Sequence, residues 1–147
     1  MPAIKMGRGR VGFSVARTYK TSQKQVWNAI TEAKHLKKYF VDAVHGDMTP
    51  ELGIVLWEWK GFDTARLHLT ACRPTERIEF HWKAEGVGYH TRVRVELSRL
   101  RGRVLVQVSE WGWKQSDLKS AFSHCTGWTD FMNYLKAYLI HGLDFRK

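Results

Sequence analysis

Five runs between Ile54 and Ser109 alternate apolar and polar residues with a period of two, which restricts the chain to folds built round a half-buried antiparallel sheet. In IVLWEWK, Val55, Trp57 and Trp59 share a face while Glu58 and Lys60 point away. Ala65, Leu67, Leu69 and Ala71 alternate with Arg66, His68, Thr70 and Cys72 in the next run. Ile78, Phe80 and Trp82 then stand against Glu79, His81 and Lys83, and Val93, Val95 and Leu97 against Arg92, Arg94 and Glu96. Val104, Val106 and Val108 close the series against Leu105, Gln107 and Ser109. Turn signals at Gly61, Arg73-Pro74, Gly86 to Gly88 and Arg101-Gly102 separate the runs, so a meander of short hairpins is expected. One of its faces is apolar and aromatic, the other polar.

An apolar sheet face needs a cover, and the carboxyl-terminal segment supplies one. Trp128, Phe131, Met132, Leu135, Tyr138 and Leu139 fall at steps of three and four, the stripe of a helix that reaches His141 from a start at about Asp117 or at Thr126. Gly142 is placed to end it. Burying one large aromatic side chain contributes about 1.5 to 3 kcal/mol, so the contact of stripe and sheet should dominate stability. Ahead of the meander, Arg10 to Tyr19 reads as a strand with Val11, Phe13, Val15, Arg17 and Tyr19 on one face. SQKQVWNAI opens a helix with Ser22 and Gln25 in capping-box spacing, AKHLKKYF is a short basic helix ending in aromatics, and Val41 to Gly53 reads as loop. The class is α+β.

The 147 residues fit one domain, 1–147, with a core from about 10 to 146. No apolar run reaches the roughly 20 residues of a membrane span, and MPAIKMGRGR lacks the apolar centre of a secretory signal, so a cytoplasmic protein is expected. Cys72 and Cys125 have no metal or disulfide spacing and read as small buried hydrophobes. The net charge of +10 raises nucleic acid as a partner. Its densest segment, TRVRVELSRLRGR, places Arg92 and Arg94 on the wet face of a strand and Arg99, Arg101 and Arg103 around a turn, with no sequence-specific nucleic-acid motif beside them.

Chemistry-bearing residues concentrate in HCTGWTDFMNYLKAYLIHG, residues 124–142. On a continuous helix His124 and His141 lie roughly 26 Å apart, and Cys125 and Asp130 diverge by about 140° round the axis. No metal site and no catalytic centre is expected there, and His124 reads as structural or exposed. Glu110 is different: it follows Val104, Val106 and Val108 in phase and should point inward. There an unpaired carboxylate is costly, and an apolar setting favours its neutral form. Its partner is either an inward group such as Arg17 or a ligand that it orients.

Together SQKQVWNAIT, LKKYF, LWEWKGFD, RPTERIEFHW, VSEWGW and GWTDFMNYLKAYLIHGLDFR resemble the START-like (SRPBCC) superfamily, in the branch named for the activator of the ninety-kilodalton heat-shock-protein ATPase. The resemblance runs from about Val11 to Arg146. It implies a helix-grip fold, a curved antiparallel sheet wrapped round the long carboxyl-terminal helix with two short helices after the first strand. It further implies an apolar cavity for a lipid-like or aromatic ligand, with no cofactor and no metal. By that resemblance the wall is drawn from Trp57, Trp59, Phe80, Trp82, Val93, Val95, Val106, Val108 and Glu110 on the sheet, and Trp128, Phe131, Met132 and Leu135 on the helix. Plain packing of the same side chains is the competing reading.

Two further functions follow from the resemblance. One is a chaperone partner in a stress response, although the eukaryotic members place much of that contact in a separate amino-terminal domain for which these residues leave no room. The other is an enzyme of the cyclase or dehydratase kind, which needs acid and base groups converging inside; beyond Glu110, Tyr138 and Arg17 the inward face offers few. Ile54, Leu56, Leu105 and Trp111 on the polar face leave monomer and homodimer both open.

Overall fold

The computed structural model describes residues 10–146; the start MPAIKMGRG, in which no secretory signal is read, and Lys147 lie outside the described residues. Strand β1 (Arg10–Tyr19) leads through Ser22 into helix α1 (Gln23–Thr31). The Ser22 hydroxyl oxygen accepts from the Gln25 backbone N–H at 3.1 Å, one half of the expected capping box. The other half is replaced, because the Gln25 side-chain oxygen accepts from the Thr21 hydroxyl. Helix α2 (Ala33–Tyr39) follows after the extended residue Glu32.

The stretch expected to be loop contains strand β2 (Ala43–His45), which pairs with β3 (Gly53–Glu58) through Ala43 opposite Glu58. Three residues are too few to display a period of two. Strands β4 (Ala65–Arg73), β5 (Arg77–Lys83), β6 (His90–Leu100) and β7 (Arg103–Lys114) complete the meander. Each contact along the order β1-β7-β6-β5-β4-β3-β2 is antiparallel. Pairing of β1 with β7 brings the two ends of the chain order together, and a 3₁₀ turn (Gln115–Asp117) then delivers helix α3 (Leu118–His141) onto the apolar face. The arrangement is the helix-grip fold, of class α+β.

Helix α3 runs unbroken through Gly127 for 24 residues and ends on Gly142 in the left-handed region, φ 66°. Its stripe is buried as the spacing requires: Trp128, Phe131, Met132 and Leu135 face the sheet, with Tyr138 and Leu139 packed at the margin. The Tyr19 hydroxyl at the end of β1 donates to the Met132 carbonyl at 2.7 Å and pins the helix across the sheet. Burial pushes the Tyr19 phenol well above its usual range, so it remains a donor. Past the helix, Arg146 donates to the Val41 and Lys37 carbonyls at 2.8 and 3.0 Å and ties the chain end to α2.

Two bulges alter the alternation. Leu69 stands opposite Phe80 but Ala71 stands opposite Glu79, so Thr70 is an extra residue in β4. The phase flips there: Cys72, expected outward, pairs with Ile78 and packs against the core, and Ala71, expected inward, turns outward. In β7, Val11 pairs with Trp113 and Gly12 with Trp111, leaving Gly112 as the extra residue at φ 113°. Trp113 is thereby turned inward and fully buried, stacked on Phe13 at 5.6 Å, with its indole N–H donated to the Ser120 hydroxyl at 3.0 Å.

Gly12 sits at the second bulge with no room for a side chain. A Cβ there would lie 2.5 Å from the Glu110 carbonyl oxygen and 2.6 Å from the Trp111 Cβ. Both neighbours belong to a paired strand and cannot swing aside. Gly12→Ala should therefore lower unfolding stability by about 2 kcal/mol, the scale of overpacking in a closed structure. A urea titration checks it; an unchanged midpoint would mean that the β1–β7 contact is looser than described.

Candidate functional site

Glu110 continues the inward phase of Val104, Val106 and Val108 and is as fully buried as they are. A bare carboxylate in that position would forfeit several kcal/mol of hydration. Four side chains replace the lost water. Oε2 accepts from the Trp82 indole N–H at 2.9 Å, the Thr91 hydroxyl at 2.7 Å and His124 Nδ1 at 2.9 Å, and Oε1 accepts from the Trp128 indole N–H at 2.8 Å. One donor comes from β5, one from β6 and two from α3.

The protonation states follow from the network. His124 Nε2 accepts from the Glu85 backbone N–H at 3.0 Å, so Nε2 carries no proton and the single imidazole proton is on Nδ1. His124 is accordingly neutral and donates to Glu110. Among the described residues the remaining bonds come from two indole N–H groups, which cannot accept, and from the Thr91 hydroxyl. Four donors thus converge on the two Glu110 oxygens, and each hydrogen bond to a carboxylate contributes about 1.5 to 3 kcal/mol.

Arg17, the other expected partner, is elsewhere. It stands opposite Val106, while Phe13 stands opposite Glu110, and its Nε is buried with no hydrogen-bond partner among the described residues. His124 is the residue that spacing along the helix did not reveal. Its separation from His141 holds, since both lie on one continuous helix. Its true partner lies on β7, 14 positions earlier, which helical geometry cannot show. Thr91 at the start of β6 was likewise not singled out.

Above the carboxylate the tryptophans form a ring-against-ring wall. Trp82 and Trp128, which both donate to Glu110, stack at 5.7 Å. Trp57 meets Trp82 at 6.1 Å, Trp128 at 6.4 Å and Phe80 at 6.4 Å, all edge to face. Phe131 joins Trp128 at 5.4 Å. From α2 and its end come Tyr39 and Phe40, the latter edge-on to Trp57, Trp59 and Phe131 at 5.7, 5.3 and 4.9 Å. Neither was expected in the wall, although both close the basic helix in the sequence. Trp59 lies just past β3, half-buried, with its N–H donated to the Phe40 carbonyl at 2.8 Å.

The structure thus brings Trp57, Phe80, Trp82, Val93, Val95, Val106, Val108, Trp128, Phe131, Met132 and Leu135 into one buried cluster, with Trp59 packed against it. Glu110 is joined to that cluster through Trp82 and Trp128. Trp57 Nε1 in this cluster is buried and finds no hydrogen-bond acceptor among the described residues. An orphan donor of this kind costs about 1 to 3 kcal/mol.

Glu110→Gln tests the network. The amide puts its own N–H₂ among four donors, so at least one bond becomes a donor facing a donor. Stability should fall by about 3 kcal/mol, as for one partner removed from a buried ionic network. Chemical denaturation followed by tryptophan fluorescence measures it, and a loss below about 1 kcal/mol, the net value of one ordinary hydrogen bond, would contradict the assignment.

The family model for activator of Hsp90 ATPase homolog 1-like proteins matches residues 20–140. No curated protein matches the sequence significantly. Among solved structures the chain is similar to DynU16, a protein of the dynemicin biosynthetic locus, at TM-score 0.78 and 21% identity over 89% of this chain and 48% of that one. It spans about half of DynU16. It is also similar to the Aha1 dimer from Colwellia psychrerythraea, at TM-score 0.75 and 20% identity over 90% of this chain and 98% of that one. The protein SSP2350 from Staphylococcus saprophyticus superposes at TM-score 0.77 and 14% identity, covering 91% and 95%. Identities this low establish a shared fold.

Proposed function

We propose a function from one premise: the chain belongs to the family of activator of Hsp90 ATPase homolog 1-like proteins. It acts as a small-molecule binding protein that takes an aromatic or lipid-like ligand between the sheet and α3, as one START-like domain over residues 1–147. The wall is Trp57, Trp59, Phe80, Trp82 and Phe131 with the valines of β6 and β7, and Glu110 lies beneath it. The buried, unsatisfied N–H of Trp57 carries the reading. A ligand whose apolar body replaces ring contacts and whose carbonyl or hydroxyl oxygen accepts from that N–H removes the penalty.

Access to Trp57 is through its neighbours at the end of α2. Phe40 and Trp59 both touch it edge-on and both are only half-buried. Swinging these two rings outward opens the wall without disturbing the Glu110 hydrogen bonds. The ligand-free protein keeps the space filled by its own aromatic side chains, and binding is displacement. Apolar bodies in such sites bury most of their area while a few polar groups set orientation.

Titration of tryptophan fluorescence with a panel of fatty acids, sterols and hydroxylated aromatics, alongside native mass spectrometry, tests the reading. Trp57→Phe keeps one aromatic ring of the two and deletes the orphan donor. Its stability should equal or exceed that of the natural chain, while affinity for an acceptor-bearing ligand falls about tenfold, one hydrogen bond's worth. A panel with no binder, or equal affinity in both proteins, would refute it.

A second reading is a protein partner of the chaperone class named by the family. Phe122 and Leu118, 66% and 42% exposed on the first turns of α3, give it an apolar docking point. A homodimer like that of the Colwellia relative could use the same residues. Pull-down with a bacterial homologue of the chaperone, and sedimentation of Phe122→Asp against the natural chain, separate the two. Among the described residues no helix is long and apolar enough to cross a membrane.

A further inference from the structure

The outer face of the sheet carries a row of planar side chains that the grip on α3 does not use. Strand register aligns Ile54, His68, His81, Arg92, Trp111 and Gly12 across β3, β4, β5, β6, β7 and β1. The middle four are two imidazoles, a guanidinium and an indole, spread over three inter-strand spacings or roughly 14 Å. His68 and His81 stack face to face at 4.7 Å with planes 2° apart, and His90 Nδ1 lies 2.7 Å from His81 Nδ1. Among the described residues no three histidine, cysteine or acidic side chains converge on a metal position, so the cluster is a surface rather than a coordination sphere.

Beside Trp111 this face opens into a groove of about 650 Å³, whose lining includes Arg10, Arg92, Arg94, His90, Trp111 and Glu79. That volume suits a small molecule. Its charge is positive. Glu79 is neutralised by Arg94 Nε at 2.6 Å, and Arg94 also reaches Glu96 at 3.4 Å while its guanidinium lies 5.8 Å from the Trp111 ring. Arg92 is exposed and joins no ion pair among the described residues. Arg10 is fixed at the rim, with one N–H donated to the Gly112 carbonyl at 3.2 Å and its guanidinium over the Tyr89 ring. Gly12, opposite Trp111, has no side chain to cover that flank of the indole.

A groove that sets the exposed Arg92 guanidinium beside a half-exposed indole, open on its Gly12 flank, suits a planar aromatic group bearing a negative charge. We propose that the outer face binds a nucleotide, the base stacked on Trp111 and the phosphate held by Arg92, Arg10 and His90. Sheets that present aromatic side chains in this manner stack two or three bases, and the row from Trp111 to His68 has the span for it. The nucleotide is either free or part of a single strand. This site and the proposed cavity lie on opposite faces of the sheet, so each stands without the other.

The test uses the full chain with five probes: uridine and adenosine monophosphates, a fluorescent eight-residue oligouridine, a duplex of equal charge, and heparin. Anisotropy at 50 and 150 mM salt should show the oligouridine binding in preference to the duplex. Competition by the monophosphates at similar phosphate concentration identifies a free nucleotide as the ligand, and binding of the oligomer alone identifies a single strand. Trp111→Ala should weaken binding about tenfold through lost stacking, while Trp111→Phe retains it. Arg92→Ala should lower the salt slope by about 0.7, one phosphate contact on a single strand. Unchanged far-ultraviolet circular dichroism and a thermal midpoint close to that of the natural chain show the fold of each variant intact, since both side chains point outward. The proposal is overturned if no nucleotide probe binds, or if heparin, duplex and oligouridine bind alike and Trp111→Ala changes none of them.

Discussion

The fold depends on satisfying one negative charge in its interior. Glu110 draws Trp82 from β5, Thr91 from β6, and His124 and Trp128 from α3 onto two oxygens, and among the described residues no lysine or arginine takes part. Apolar contact between a sheet and a helix is non-directional, so it leaves the helix free to slide or roll. Four hydrogen bonds to a single carboxylate do not. They select one rotation and one translation of α3, and the Tyr19 bond to the Met132 carbonyl fixes the helix again at its next turn. Glu110 thus sets the position of the surface on which the remaining aromatic side chains pack.

That surface has an unequal polar ledger. Trp82, Trp128, Trp113 and Trp59 each place their indole N–H on an oxygen, whereas Trp57, nearly the most enclosed of them, does not. Folding tolerates such a donor only where packing around it is favourable enough to offset the loss. Its position under the half-buried Phe40 and Trp59 puts the unsatisfied atom close to the one part of the wall made by a short helix end. The two halves of the proposed ligand site therefore differ in stiffness: the Glu110 end is locked by four hydrogen bonds, and the Trp57 end is held by ring contacts and the single Trp59–Phe40 hydrogen bond.

The alternation from Ile54 to Ser109 and the stripe of α3 were legible because each is repeated many times, so a single exception cannot hide it. The bulges were not. One extra residue at Thr70 reverses every later side chain in β4 yet leaves no compositional trace, which is why Cys72 and Ala71 exchanged faces. Gly112 was a weaker version of the same problem, since a glycine between two tryptophans marks a bulge only once Gly12 is known to lie across from it. His124 escaped because the sequence compares it naturally with neighbours on its own helix, and its partner is on a strand. The tryptophans were read as area; four of the seven act as donors as well.

The most direct test of the ionised, cation-free Glu110 is the tautomer of its fourth partner. Nitrogen-15 NMR of the imidazole side chains, with His124 assigned by its loss in His124→Gln, reads the proton on each ring nitrogen. The Glu85 N–H directed at Nε2 predicts a His124 proton on Nδ1 and a bare Nε2. A proton on Nε2, or on both nitrogens, would contradict it, because Glu110 would then be either a neutral acid donating to the ring or one half of an ion pair.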